Sequence, residues 1–312
     1  METTAVVLRE PGELALDRVG LNDPAAADIV VRTEWSGIST GTERLLYSGK
    51  MPSFPGMGYP LVPGYESVGR VIEAGVDSGR TVGERVYVPG TNAYRDVRGL
   101  FGGAAARLVV AGDKTVPLGD GLAEDGTLLA LAATAYHAIA GGGDRLPDLI
   151  VGHGVLGRLL ARIACAEGGS PTVWEVNPDR RDGAEGYRVI DPTEDEVRGY
   201  SAIYDVSGAD GLLDSLIGKL APGGEIVLAG FYSQPLSFAF PPAFLREARL
   251  RVAAEWKRPD LLAAKGLIDG GKLSLANLIT HRAPAASAEA AYRTAFEDPS
   301  CLKMILDWSE RS

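Results

Sequence analysis

The sequence predicts an α/β protein built from a β-rich N-terminal domain and a doubly wound parallel sheet. Three observations predict it. Short apolar runs bounded by Gly, Pro and Asp fill residues 1–125; strand and helix patterns then alternate; and a glycine triplet falls between one such strand and its helix. The chain has 312 residues, 46% of them hydrophobic and 23% charged, which suits two domains with full cores.

In the first part, TAVVLRE, ELALDRV, DIVVRTEWSGIS, VGRVIEAG, ERVYVPG and ARLVVAG read as strands. Gly75 and Gly79 bound a loop that returns the chain to the next strand. Beyond Gly121 the rhythm changes. LAEDGTLLALAATAYHAIAGG has helical spacing, DLIVGHG reads as a buried strand and VLGRLLARIACAEGG as an amphipathic helix. PTVWEVN, YSAIYDVSG, EIVLAGF and LRVAAEW follow as strands, with a helix over LLDSLIGKLAPGG. Continuous apolar strands separated by helices mean a parallel sheet covered on both faces. Residues 257–312 add the helices RPDLLAAKGLIDGG and AASAEAAYRTAFED and the strand CLKMILDW.

The formal net charge is −10, and the acids are spread along the chain as a solvated surface. That balance argues against nucleic acid or an anionic membrane as partner. No apolar run reaches the roughly 18 residues of a spanning helix, so the protein is not expected to be integral to a membrane. METTAVVLREPGELALDRV reads directly as paired strands, so a cytoplasmic protein without a signal peptide is expected. The two cysteines, Cys165 and Cys301, make neither a disulfide framework nor a cysteine zinc knuckle.

Gly152, Gly154 and Gly157 form G-x-G-x-x-G directly after a strand and before a helix. This is the context a dinucleotide site requires. The first glycine permits the tight turn, the second admits a pyrophosphate, and the third lets helix and strand pack closely. The N–H groups of the opening residues, Val155 and Leu156 among them, face the phosphate charge. Glu175 ends the next strand, where a carboxylate accepts from the adenosine ribose and repels a 2′-phosphate. NAD is therefore expected over NADP, although Arg180 and Arg181 just downstream could soften that preference. His153 reads as a loop histidine without a catalytic role. Ser207, Gly208, Gly230 and Phe231 end later strands and are candidates for the ribose and nicotinamide, though each also suits an ordinary turn.

With these pieces assembled, the chain resembles the medium-chain dehydrogenase/reductase family over nearly its full length. WSGISTGTE with LLYSG, PLVPGYESVGRVIEAG, VGERVYV, TAYHAI, VGHGVLG, DVSG, LAPGGEIVLAGF and GLIDGGKLSLANLITHRAP carry the likeness. The resemblance implies a GroES-like catalytic domain over 1–125 and a Rossmann NAD-binding domain over 126–256. It also implies a C-terminal segment, 257–312, returning to the catalytic domain, and a homodimer. Zinc-dependent members carry Cys where Ser39 stands, His where Tyr65 stands, and Cys or an acid where Ala130 stands. None of these three side chains suits catalytic zinc, and GTNAYRDVRGLFGG has no cysteine for a structural one, so no metal is expected. SGISTGTERLLYSG and PLVPGYESVG are similar to a zinc-less subgroup of bacteriochlorophyll biosynthesis. That likeness alone implies the substrate, a chlorin-type tetrapyrrole whose 1-hydroxyethyl group is oxidised to acetyl.

Without a metal, a side chain or water must take the hydroxyl proton. Tyr65 is the leading candidate, because it occupies a ligand slot. A phenol with a pKa of about 10 is a weak base and needs a nearby cation, the nicotinamide ring or a lysine. Glu66 raises the cost of ionising Tyr65 and reads either as a structural acid or as part of a proton path. Ser39, Thr40 and Thr42 offer relay hydroxyls, with Glu43 as the outlet. GYE also suits a plain turn. Leu45 to Val62 is expected to border an apolar cleft for the macrocycle, lined by Tyr47, Met51, Phe54 and Tyr59, with Lys50 pairing to a ring propionate. An apolar surface loop or a dimer contact suits that stretch equally. Two other functions stay open: a zinc-less dehydrogenase of a sugar, polyol or quinone, and a non-catalytic NAD-binding protein.

Overall fold

The computed structural model describes residues 1–143, 145–232 and 234–309. Two compact units result, one from Met1–Ala130 together with the chain from Leu278 onward, the other from Leu131–Asn277.

In the first unit, strand Asp28–Gly37 organises a seven-stranded sheet. One edge pairs antiparallel with Ser67–Ala74. The other edge is shared: Asp28 to Arg32 pair with Arg107–Ala111, and Trp35 to Gly37 with Met304–Asp307 near the C-terminus. His281–Pro284 extends the sheet beyond Met304–Asp307. A second sheet holds Glu13–Gly20, Glu2–Glu10, Leu61–Val62 and Arg98–Gly99. Inward residues of both sheets, including Val6, Leu8, Ile29, Val31, Leu61, Leu108 and Leu306, form one core. Helix Ala288–Glu297 adds Tyr292 and Ala295 to it. Each of the Val, Leu and Ile side chains among them contributes about 1.5–3 kcal/mol when fully buried.

The second unit contains six parallel strands. Across the sheet they run Arg188–Ile190, Thr172–Trp174, Leu149–Val151, Tyr200–Asp205, Leu220–Leu228, Arg249–Val252. The order reverses between Leu149–Val151 and Tyr200–Asp205, and a crevice at such a switch point is where open α/β sheets bind ligands. Helix Val155–Ala166 covers this sheet with Leu159, Leu160 and Ile163 buried.

Two boundaries differ from expectation. The helix expected over LLDSLIGKLAPGG stops at Lys219, and strand Leu220–Leu228 starts at once. Pro222 explains this, since it disfavours helical backbone at the residue before it. Helix Arg258–Asp269 belongs to the second unit rather than to the returning segment. His137 Nδ1 lies 2.8 Å from Asp260, and Arg162 donates to the carbonyls of Ser274 and Ala276, which ties 257–277 to that unit. Among the described residues, no helix is long and apolar enough to cross a membrane.

The glycines at the switch point are not equivalent. Gly152 has φ +104, and a Cβ on Gly157 would overlap the Gly152 carbonyl oxygen. A Cβ on Gly154 would meet nothing within 4 Å. Gly157→Ala is expected to cost about 1–3 kcal/mol through overpacking, and Gly154→Ala less than about 0.5 kcal/mol. Urea denaturation of the two variants checks the contrast, and equal losses would refute it.

Candidate active site

The candidate nucleotide residues lie at the carboxyl edge of the parallel sheet. Gly152 N–H donates to Trp174 O, and a Cβ built on Gly152 would come within 3.2 Å of Ser207 Cα. Ser207 is held by Asp205, whose Oδ1 accepts from both its N–H (3.0 Å) and its Oγ–H (2.7 Å). Gly230 N–H donates to Asp205 O, and its missing Cβ leaves room 3.3 Å from Gly208 N. Thus Gly152, Ser207, Gly208 and Gly230 converge, with Phe231 exposed beside them. Gly154 precedes the first turn of helix Val155–Ala166 and faces open space, so the turn has the room and the N–H donors a pyrophosphate needs. The residues present fit a dinucleotide.

Glu175 is buried, with Oε2 accepting from His153 N–H (3.0 Å) and Oε1 from Asn177 N–H (2.8 Å). Arg181 is spent within its own loop, donating to the carbonyls of Glu175 and Val176 and pairing with Asp191. His153 is fully buried, and burial lowers its pKa to about 4. A neutral ring 2.6 Å from Arg180 O must donate from Nδ1, which leaves Nε2 to accept from the Tyr187 hydroxyl at 2.8 Å.

The candidate hydroxyl residues lie in the first unit, where helix Thr42–Tyr47 follows the central strand. Ser39 Oγ and Tyr65 Oη are 2.8 Å apart. Thr42 N–H lies 3.4 Å from Ser39 Oγ, and Thr40 is exposed. Tyr87 donates to Tyr65 O at 2.7 Å, and Phe101 packs edge-on to the Tyr65 ring. Burial first, then the neighbouring Glu66 charge, push the Tyr65 phenol above its ordinary range. Tyr65 is therefore not a resting phenolate. The nearby lysine that could have helped it, Lys303, is engaged elsewhere: its ammonium pairs with Glu66 and donates to Ile38 O. Both members of that pair are buried, and Glu66 Oε1 has no partner among the described residues. Burial raises the Glu66 pKa, and Lys303 opposes the rise.

Glu43 is not a solvent outlet. Its carboxylate is buried, accepting from Ser39 N–H (3.0 Å) and from the Tyr292 hydroxyl (2.5 Å). Burial raises its pKa to about 7. The expected cleft residues also divide. Tyr47, Met51 and Tyr59 pack against the core, Tyr47 on Phe296 and Tyr59 with its hydroxyl on Leu46 O. These three are half-buried, whereas Lys50 and Phe54 are exposed. Sequence reasoning missed Lys303 and Tyr292, although a lysine inside the apolar strand CLKMILDW was a visible signal.

Residues 25–120 match the family profile of the alcohol dehydrogenase GroES-like domain. The chain is 59% identical over 314 residues to the 2-desacetyl-2-hydroxyethyl bacteriochlorophyllide A dehydrogenase of Cereibacter sphaeroides, covering 99% of each. The chain belongs to the medium-chain dehydrogenase/reductase family. The dehydrogenase of the same name from Rhodobacter capsulatus is 58% identical, again over 99% of each chain. A solved E. coli alcohol dehydrogenase in complex with NADH shares the fold, with a TM-score of 0.83, 19% identity and coverage of 98% of this chain and 99% of that one. In this medium-chain dehydrogenase the first unit is the GroES-like domain and the second the Rossmann domain. The family's zinc slots hold a hydroxyl, a phenol and, at Ala130, a buried methyl, a donor set that does not fit catalytic zinc.

Lys303→Met is expected to destabilise by about 3–5 kcal/mol, because it strands a buried carboxylate, and adding Glu66→Gln to recover most of the loss. Urea melts of the single and double variants check this; a double variant as weak as the single one would contradict it. Glu43 gives a pH dependence of definite sign. Its folded pKa lies above the unfolded value, so the folded chain holds the extra proton between about pH 4.5 and 7. Stability from this group is full at the acid end and falls as pH rises through that window, by up to about 3 kcal/mol. Denaturation midpoints across the window should show a slope that Glu43→Gln removes.

Proposed function

We propose that the protein is an NAD-dependent, zinc-independent dehydrogenase that oxidises the 1-hydroxyethyl group of a bacteriochlorophyllide-type ring to acetyl. The observation that carries this reading is the 59% identity over the full length to a dehydrogenase named for that substrate. The glycine turn supports the cofactor: Gly152, Gly154, Val155, Leu156 and Gly157 hold the pyrophosphate, and Glu175 holds the adenosine ribose. Ser207, Gly208, Gly230 and Phe231 border the nicotinamide end. Bound there, NAD supplies the hydride acceptor.

The alcohol carbon loses a hydride and its oxygen a proton. Tyr65 and Ser39 hold that hydroxyl through their paired oxygens. Burial keeps Tyr65 protonated, so it acts as a relay rather than a base. Its Oη takes the substrate proton while its own proton passes to Ser39 Oγ, and Ser39 releases its own hydroxyl proton to solvent water. Glu66 sets the Tyr65 backbone through its ion pair and takes no proton. Phe54 offers an apolar face to the macrocycle, and Lys50 a cation for a ring propionate. Leu250 and Val252 are exposed on the edge strand Arg249–Val252, and Phe240, Phe244 and Leu245 are exposed on helix Phe240–Leu245. An open apolar edge of this kind supports a homodimer through the Rossmann sheet. We place the enzyme in the cytoplasm.

The test incubates purified protein with NAD and the hydroxyethyl pigment, following NADH and the pigment's absorbance shift, with metal analysis of the same sample. Tyr65→Phe is expected to lower turnover about 100-fold with little change in NAD affinity; unchanged turnover removes Tyr65 from the mechanism. NAD binding without hydride transfer to any alcohol supports a non-catalytic protein. Activity that tracks zinc content sinks the zinc-independent chemistry.

A further inference from the structure

Helix Val155–Ala166 buries a guanidinium that its apolar face does not need. Arg158 is 4% exposed and donates to three carbonyls: His153 O (Nε, 3.1 Å), Arg180 O (3.0 Å) and Gly183 O (3.3 Å). The first belongs to the glycine turn, the other two to the loop after strand Thr172–Trp174. His153 spans the same two segments. Its ring donates to Arg180 O and accepts from Tyr187, while its N–H holds the Glu175 carboxylate. Arg180 O therefore accepts from both side chains. Gly183 leaves the space, since a Cβ there would overlap the Arg158 guanidinium.

A buried guanidinium is costly unless its donors are used, and three short-range carbonyls are a specific way to use them. Their effect is to lock two backbone segments that would otherwise be a mobile turn and a mobile loop. The locked loop carries the carboxylate read above as the ribose ligand.

We propose that Arg158 and His153 are positioning residues that clamp the loop of residues 175–187 to the glycine turn, fixing Glu175 so that the site selects NAD over NADP. The proposal rests on the NAD reading of this turn. A carboxylate held by two backbone N–H groups cannot swing away from a 2′-phosphate, and Arg181, consumed by Glu175 O and Asp191, cannot swing towards one. Loosening the clamp frees both movements. Weaker NAD binding and weaker rejection of NADP should then appear together.

Calorimetric titration of wild type, Arg158→Lys and Tyr187→Phe with NAD and with NADP tests it, alongside thermal melts. Lysine keeps the charge but not the three-way fork. For Arg158→Lys the NAD Kd should rise about tenfold, and the NADP-to-NAD ratio of Kd values should fall by about the same factor, the loss of one or two hydrogen bonds. Tyr187→Phe removes one donor to His153 and should move both quantities the same way, about threefold. A folded Arg158→Lys variant with an unchanged ratio overturns the proposal, including the case where only the melting temperature falls. If Arg158→Lys does not fold, the ratio in Tyr187→Phe decides by the same criterion. A wild type that binds neither nucleotide instead refutes the NAD reading itself.

Discussion

Glu66 places a carboxylate where no water reaches it, and the Lys303 ammonium makes that position tenable. An isolated charge there would cost several kcal/mol, so each partner is admissible only with the other. The pair fixes its surroundings by exclusion. A Cβ on Gly37 would overlap Glu66 Oε2 and lie 2.9 Å from Lys303 Cε, so the central strand must end in glycine before it turns into the segment bearing Ser39. Ile38 O is held by the same ammonium. The backbone on either side of the hydroxyl pair is thus pinned by one electrostatic contact.

That contact also sets the chemistry available next to it. With Lys303 spent on Glu66, burial and the Glu66 charge oppose phenolate formation at Tyr65. Glu43, with its own proton released only near neutrality, adds to that opposition. Such surroundings disfavour a stored phenolate at Tyr65. The second carboxylate that matters, Glu175, is arranged differently: two backbone N–H groups hold it in place of a counter-ion.

Much of this was legible in the residues, for reasons that differ by element. The glycine turn was readable because each glycine answers a local steric demand, and strand, turn and helix are contiguous. Ser39 and Tyr65 were found as occupants of known slots, and their contact at 2.8 Å followed from the fold. Lys303 was not paired in advance, because its partner lies 237 residues away and only the sheet pairing of Met304–Asp307 brings them together. Tyr47, Met51 and Tyr59 are half-buried against the core, a packing that composition does not distinguish from an exposed loop. Glu43 was given the wrong exposure for a related reason: acids usually face solvent, and only Tyr292 on a distant helix explains this one. The boundary at Leu278 escaped notice because the contacts that decide it, His137 with Asp260 and Arg162 with the carbonyls of Ser274 and Ala276, join residues more than 100 positions apart.

The sharing of strand Asp28–Gly37 between two partners has a consequence for synthesis on the ribosome. The GroES-like unit is started first and closed last, since Met304–Asp307 must arrive before the half-strand at Trp35 to Gly37 is paired. The whole Rossmann unit is translated in between. A nascent chain can therefore assemble its nucleotide-binding layer while the hydroxyl pair still waits for its counter-ion. Any chain cut short before Lys303 would leave Glu66 without its counter-ion although every residue of the Rossmann unit had already been made, so the two units are completed at different times.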